Sequence, residues 1–263
     1  TFEQAYLFVI YYLFDYLLRD EPGAWAYKDA LFRGTCAILL GFGVVLFLGP
    51  RVIRELVRRK IGDHAEFDHA QLNLKLQDKK NVPTMGGVMI IAAIAICVLL
   101  LADLRNYYIR MAMFCMLWLS VLGGVDDWLK LTARTRTGTR DGLKMYEKLL
   151  FQIGLGVLLG IFVYRHGMQN TFIATVQGET VQAFRVLSVP FYKHGITLGV
   201  PAFLIVTVLV TAGTSNAVNL TDGMDGLASG CMAVCSFAFM FLSFLVGDQQ
   251  RAASLLLPYV PAT

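Results

Sequence analysis

This sequence predicts an all-α polytopic membrane protein, and three observations carry the prediction. Of its 263 residues 56% are hydrophobic and only 16% charged, with a mean hydropathy of +0.58, so the solvent of this chain is mostly lipid. Six apolar stretches lie at approximately 30–50, 86–103, 107–125, 147–165, 196–213 and 226–247. At about 1.5 Å of rise per helical residue each can cross roughly 30 Å of hydrocarbon, allowing for some marginal ends. The third observation is that Lys and Arg gather in alternate loops, the bias that orients membrane spans.

The amino-terminal run Phe2–Leu18 is apolar and aromatic, but Asp15 interrupts it and Arg19-Asp20-Glu21 leads into a Pro-Gly turn. It reads as an interfacial helix. No basic segment precedes it and no small-residue cleavage site comes after it, so a removable signal is not expected. The six apolar stretches must be helical, because lipid offers no water to unpaired backbone groups. Arg33 and Arg110 each sit near the end of a stretch, where a long side chain can snorkel to the interface.

Residues 51–80 hold Arg51, Arg54, Arg58, Arg59, Lys60, Lys75, Lys79 and Lys80, and residues 130–148 hold Lys130, Arg134, Arg136, Arg140, Lys144 and Lys148. Both loops are therefore expected on the cytoplasmic side. Alternation then puts Asn216–Ala228 on that side as well, and 104–106, 166–195 and 248–252 outside. Three loops on one face offer the parts of one site. The outer segment carries two β-prone runs around Gln177-Gly178-Glu179, which predicts a small hairpin near 171–185. Cysteines 36, 97, 115, 231 and 235 all fall in apolar spans without metal-ligand pairing, and read as reduced core residues. No repeat or linker divides the chain, which reads as one membrane domain.

Three elements carry candidate chemistry. The first is Gly123-Gly-Val-Asp126-Asp127-Trp-Leu-Lys130 at the inner end of the third span. Adjacent acids at a membrane boundary need a partner, and Mg²⁺ would be one, since hard cations take carboxylate oxygens and bridge to phosphates. The pair reads equally as solvated end-of-helix carboxylates balanced by Lys130. The second is Lys79-Lys80-Asn-Val-Pro-Thr84-Met-Gly-Gly87. Its lysines suit phosphate and its glycines a close backbone approach, although positive-inside anchoring accounts for most of its charge. The third is Asn216-Ala-Val-Asn219-Leu-Thr221-Asp222-Gly-Met-Asp225-Gly-Leu-Ala228, a polar loop between two of the most apolar segments. Asp222 and Asp225 are three apart and would share a helix face. Asn216, Asn219 and Thr221 add neutral groups suited to a nucleobase, a ribose or a metal shell. The bland alternative is a helix N-cap formed by Thr221 or Asp222.

Taken together, Lys-Lys-x-x-Pro-Thr-Met-Gly-Gly, Asp-Asp-Trp-Leu-Lys and Asn-Ala-Val-Asn-Leu-Thr-Asp-Gly-Met-Asp-Gly-Leu-Ala resemble the phospho-N-acetylmuramoyl-pentapeptide transferases, within the polyprenyl-phosphate N-acetylhexosamine-1-phosphate transferases (glycosyltransferase 4). The resemblance runs from about Phe32 to the carboxyl terminus. It implies transfer of phospho-MurNAc-pentapeptide from UDP-MurNAc-pentapeptide to undecaprenyl phosphate, giving lipid I and UMP, the first membrane step of peptidoglycan synthesis and so of cell-wall biogenesis, cell shape and division. It also implies Mg²⁺, a bacterial cytoplasmic (inner) membrane location with the active-site loops cytoplasmic, and a homodimer; no nucleic-acid partner is expected. By matching position, Asp126, Asp127 and Asp222 are the catalytic and metal-associated acids, with the lipid phosphate deprotonated by Asp126 or Asp127. Lys79, Thr84, Asn216, Asn219, Gly223, Met224 and Asp225 line the nucleotide site.

Val82 stands where the family commonly has Thr, and Met224 where Leu is common. The family fold has ten transmembrane helices, a later cytoplasmic acid and a histidine-rich loop, with no counterpart before Thr263, so the expectation is a domain incomplete at its carboxyl terminus. His64 and His69, with Asp63, Glu66 and Asp68, read as solvated surface rather than a substitute. The rival within the class transfers GlcNAc-1-phosphate from UDP-GlcNAc to the same lipid. Outside it stand a cation-conducting transporter, disfavoured because the acids cluster at one face without a repeat, and a non-catalytic truncated scaffold.

Overall fold

The protein's structure is a computed structural model that describes Tyr11, Leu17, Tyr27 and residues 29–58, 86–136, 142–169, 173–176, 179–189, 191–192, 194–222, 226–255, 257 and 259–260. The chain divides into two compact units, Thr1–Leu143 and Lys144–Thr263. Five helices among the described residues are long and apolar enough to cross a membrane, as expected of an integral membrane protein. The expected amino-terminal interfacial helix lies, apart from Tyr11 and Leu17, outside the described residues.

The first unit contains α1 (Ala30–Arg58), α2 (Gly87–Leu101) and α3 (Tyr107–Arg136). Helix α1 runs past the predicted end of its span and through Pro50. Beyond that point basic side chains serve the helix's own carbonyls: Arg51 donates to the Phe47 carbonyl at 2.6 Å and Arg54 to that of Pro50 at 3.0 Å. Cations there also complement the negative end of the helix dipole. Helix α2 packs on α1, where the Cys97 thiol donates to the Ala37 carbonyl at 3.5 Å. The segment predicted as the second span is shorter than expected. Its 15 helical residues reach about 22 Å at 1.5 Å each. The turn to α3 is tight because Asp103 accepts from the Arg105 N–H at 2.9 Å and Asn106 from that of Tyr108 at 2.8 Å, as short polar side chains do at turns and helix starts.

The second unit is built on α4 (Met145–Gln169) packed against α5 (Val200–Thr221). The two run antiparallel, held close by glycine. A Cβ on Gly156 would lie 2.7 Å from the Val208 Cα, and one on Gly160 2.7 Å from a Leu204 methyl. Small residues at such a seam let helices approach in lipid, where packing and hydrogen bonds replace the hydrophobic drive. Leu155, beside Gly156 on α4, is fully buried. Three threonines on α5 return their hydroxyls to the turn before: Thr207 to Phe203 at 2.9 Å, Thr211 to Thr207 at 2.7 Å and Thr214 to Val210 at 2.6 Å. That satisfies each hydroxyl without water.

Between α4 and α5 the predicted hairpin is present, with β1 (Ile173–Val176) antiparallel to β2 (Glu179–Gln182). A second antiparallel pair, β3 (Val186–Leu187) with β4 (Ile196–Thr197), was not anticipated. Its strands are two residues long, too short to show a period. Tyr164, Phe184 and Phe203 stack edge-on, with centroids 5.3, 5.6 and 5.9 Å apart, and tie this segment to both helices. Helix α6 (Leu227–Val246) comes next, then the short α7 (Gln249–Ser254), capped by Asp248 accepting from the Arg251 N–H. Large apolar side chains face outward along the helices, among them Leu39, Phe42, Leu209, Val234 and Phe237, as lipid-facing surfaces require.

Candidate functional site

In the first unit the acids do not end a helix. Helix α3 continues past Val125 to Arg136, so Asp126 and Asp127 project from its interior, which corrects the alternative reading of end-of-helix carboxylates. The reason is local. Lys130 stands one turn on, with its ammonium 2.8 Å from Asp126 Oδ2 and 3.8 Å from Asp127 Oδ1. Two negative charges and a positive one at i, i+3 and i+4 spacing support a helix rather than stop it.

The two carboxylates differ in environment. The Asp126 side chain is 12% exposed, and its Oδ1 accepts the Leu143 backbone N–H at 2.9 Å. Both its oxygens thus engage the protein. Gly142 is needed beside it: a Cβ there would lie 2.5 Å from Asp126 Oδ1 and 3.0 Å from the Lys130 Cγ and Cε atoms. The Asp127 side chain is 38% exposed. Consecutive helical residues point about 100° apart, so one acid faces the 142–143 segment while its neighbour turns toward the surroundings. Hard carboxylate oxygens on a cation-paired helix are donors that suit Mg²⁺, which commonly takes one or two carboxylates and completes its shell with water and phosphate. Within this unit the described residues bring no third His, Cys, Asp or Glu to the pair.

In the second unit the structure again extends a helix into a predicted loop. Helix α5 runs through Thr221, so Asn216, Asn219 and Thr221 are helical, and the chain leaves the helix only at Asp222. Asn216 and Asn219 share a face by their spacing of three. Thr221 donates to the Val218 carbonyl at 2.8 Å. Asp222 is the C-cap of α5, not the N-cap of a following helix, and it is exposed. No basic residue stands in the last turn of α5, so this carboxylate adds to the negative end of the helix dipole. A cation there is favoured by roughly 0.3–1 kcal/mol. Helix α6 instead starts from Gly226 in the left-handed region, φ +82° and ψ −13°, a conformation that side chains disfavour by about 1–2 kcal/mol. Glycine's conformational freedom is thus used at position 226.

Asn216 has partners that the sequence reading missed. Its amide donates to Gln152 Oε1 at 2.7 Å and to the Ala212 carbonyl at 2.8 Å. Gln152 in turn donates through Nε2 to the Ser215 hydroxyl at 3.0 Å. Gln152 is 5% exposed, deep in the seam between α4 and α5. The available signal was a glutamine within the apolar run Leu149-Leu-Phe-Gln152-Ile-Gly-Leu-Gly, since a polar side chain in a span must find a partner. Lys79, Thr84, Gly223, Met224 and Asp225 lie outside the described residues, as do His64 and His69.

Comparison with known proteins bears on this arrangement. Residues 109–262 match the sequence profile of Glycosyl transferase family 4, a stretch that takes in both polar clusters. The phospho-N-acetylmuramoyl-pentapeptide-transferase of Desulfotalea psychrophila is 36% identical over 253 residues, covering 96% of this chain and 64% of that protein. The proteins of the same name from Chlorobium limicola and Phocaeicola vulgatus are 31% and 30% identical, covering 96% and 97% of this chain and 64% and 65% of their own lengths. The chain thus spans less than two thirds of the length of these curated relatives.

Proposed function

The chain belongs to glycosyl transferase family 4, and from that premise we propose that it transfers phospho-MurNAc-pentapeptide from UDP-MurNAc-pentapeptide to undecaprenyl phosphate, with release of UMP and formation of lipid I. The observation that carries the reading is the Asp126–Asp127–Lys130 constellation inside the family-matched stretch, where charge is arranged for handling phosphates. The names of its relatives, phospho-N-acetylmuramoyl-pentapeptide-transferases at 30–36% identity, supply the substrate class. The location that goes with this activity is a bacterial cytoplasmic membrane with the polar clusters on the cytoplasmic face, and the protein works there as a single membrane domain and as a homodimer.

A phosphate oxygen of the lipid carrier attacks the sugar-linked phosphorus of the diphosphate. The bond to the UMP oxygen breaks as the new P–O bond forms. Two anions must therefore meet, and charge grows on the departing UMP. Asp127, the more exposed of the pair, is the base placed to take a proton from the lipid phosphate. Asp126 anchors Lys130 and the 142–143 segment, which supports a reading in which the ammonium answers phosphate charge. Asp126 and Asp127 are residues that would hold Mg²⁺, which when bound neutralises phosphate charge and stabilises the leaving group; by its match to the family motif, Asp222 is likewise a catalytic and metal-associated acid. Lys79 and Thr84 serve the nucleotide with Asn216, Asn219, Gly223, Met224 and Asp225.

The test is release of UMP by the purified protein given undecaprenyl phosphate, Mg²⁺ and either UDP-MurNAc-pentapeptide or UDP-GlcNAc. Turnover of the muramyl-peptide nucleotide is expected. Preference for UDP-GlcNAc would reassign the protein to GlcNAc-1-phosphate transfer.

A further inference from the structure

We propose that Gln152 is a positioning residue that locks the Asn216 amide with its carbonyl oxygen outward, so that Asn216 reads a neutral hydrogen-bond donor on the nucleotide and not a phosphate. The proposal rests on the nucleotide role given to Asn216 under the proposed function. The fixed point is the Ala212 carbonyl, which can only accept. The Asn216 atom 2.8 Å from it is therefore the NH₂ nitrogen. The same nitrogen lies 2.7 Å from the Gln152 side chain, so the Gln152 atom facing it must be the acceptor, Oε1. That leaves Gln152 Nε2 on the Ser215 hydroxyl at 3.0 Å, which can accept. Each amide orientation is dictated by the one before, and the chain ends on a backbone group that cannot flip.

The consequence for recognition is specific. Both N–H bonds of Asn216 are engaged by the protein, and Oδ1 is what the exposed residue offers a ligand. An amide oxygen pairs with an N–H or O–H and repels a phosphate oxygen. On a uridine nucleotide the donors are the imide N–H of the base and the ribose hydroxyls. Were Gln152 apolar, Asn216 would be held by Ala212 alone and free to turn its donors outward. Burial of Gln152, with the glycine seam beside it at Gly156, keeps water from competing for these bonds.

The experiment measures UMP affinity by calorimetry on the intact protein in detergent. Asn216→Ala and Gln152→Leu are each expected to raise Kd about tenfold, the loss of roughly one hydrogen bond, and the double variant to bind no more weakly than Asn216→Ala. Ser215→Ala, which removes only the partner of Gln152 Nε2, is expected to give a smaller loss of about threefold. In turnover, Gln152→Leu should raise KM for the nucleotide substrate with kcat within about twofold, the pattern of lost ground-state binding. Two analogues identify the donor: N3-methyl-UMP lacks the imide N–H and 2′-deoxy-UMP a ribose hydroxyl. Whichever binds the native protein more weakly than UMP should bind Gln152→Leu no worse than UMP does, a result that a purely structural role would not give.

Unchanged UMP affinity in Gln152→Leu, or losses that multiply in the double variant, would overturn the positioning role and leave the nucleotide role of Asn216 standing. Should Gln152→Leu fail to yield folded protein, native affinity in Ser215→Ala overturns the proposal by itself. Absence of UMP binding by the native protein, or a silent Asn216→Ala, would remove the nucleotide role and the positioning role together.

Discussion

The acid pair of α3 and the amide cluster between α4 and α5 both place polar groups in apolar helices, and they do so by opposite means. Asp126 and Asp127 share the Lys130 ammonium within about one turn of one helix. Gln152, Ser215 and Asn216 are neutral, and their bonds join residues 63 and 64 positions apart in sequence. The charged cluster owes its geometry to helical spacing and keeps one of its two acids, Asp127, more exposed. The amide cluster owes its geometry to how closely two helices approach, which Gly156 and Gly160 set. Chemistry that handles phosphate needs charge and access, while recognition of a nucleotide edge needs fixed amide orientation. Local and tertiary construction match those demands.

The largest expected effect lies in the charged cluster. Asp127→Asn should lower the rate of UMP release by about 10²–10⁴-fold, the usual worth of a positioned acid or base, while the protein elutes and melts like the native form. Native turnover by that variant would move the chemistry elsewhere. In the amide cluster, Gly156→Ala puts a methyl against the Val208 backbone, which cannot swing aside. The cost is about 1–3 kcal/mol of overpacking, read as a lowered midpoint of thermal unfolding in detergent. Because the seam and the amide bonds are one structure, UMP affinity should fall with it; an unchanged midpoint and affinity would show that the seam yields without consequence.

Gly142→Ala probes how far the charged cluster depends on the Leu143 backbone contact. A methyl there crowds Asp126 Oδ1 and should cost about 1.5–3 kcal/mol if the Leu143 bond to the carboxylate is lost, less if the 142–143 segment shifts to relieve it. Turnover should fall more modestly than in Asp127→Asn, and equal losses would mean that Asp126, not Asp127, carries the proton. The smallest effect is expected at Gly226→Ala, where the left-handed backbone is strained by about 1 kcal/mol and the unfolding midpoint should drop by a few degrees. A midpoint that rises would show that the turn into α6 adopts another conformation when given a side chain.

Part of this was legible in the residues. Asp126, Asp127 and Lys130 announce their relation through spacing alone, which already makes Lys130 the counter-charge of the pair. The hairpin around Gln177-Gly178-Glu179 was equally plain, because turn residues between β-prone runs leave few alternatives. Asn216 stood out as a polar residue, but its partners did not. Gln152 lay inside an apolar run read as a span, and its significance depended on a helix reached only through the strands and turns between α4 and α5.

The sequence by itself determined which segments are apolar, how charge is divided among the loops and, through three motifs in order, the family to which the chain is similar. Those are properties of composition and local spacing, and lipid enforces them on every such segment alike. Only the tertiary structure decided where the helices end. Apolarity stops at the edge of the hydrocarbon, but a helix stops where its backbone hydrogen bonds are capped. So α3 carries its acids past Val125 to Arg136, and α5 carries its asparagines to a cap at Asp222. The orientation of the Asn216 amide was likewise decided by packing, because it depends on a glutamine from another helix brought within 2.7 Å by a seam of glycines.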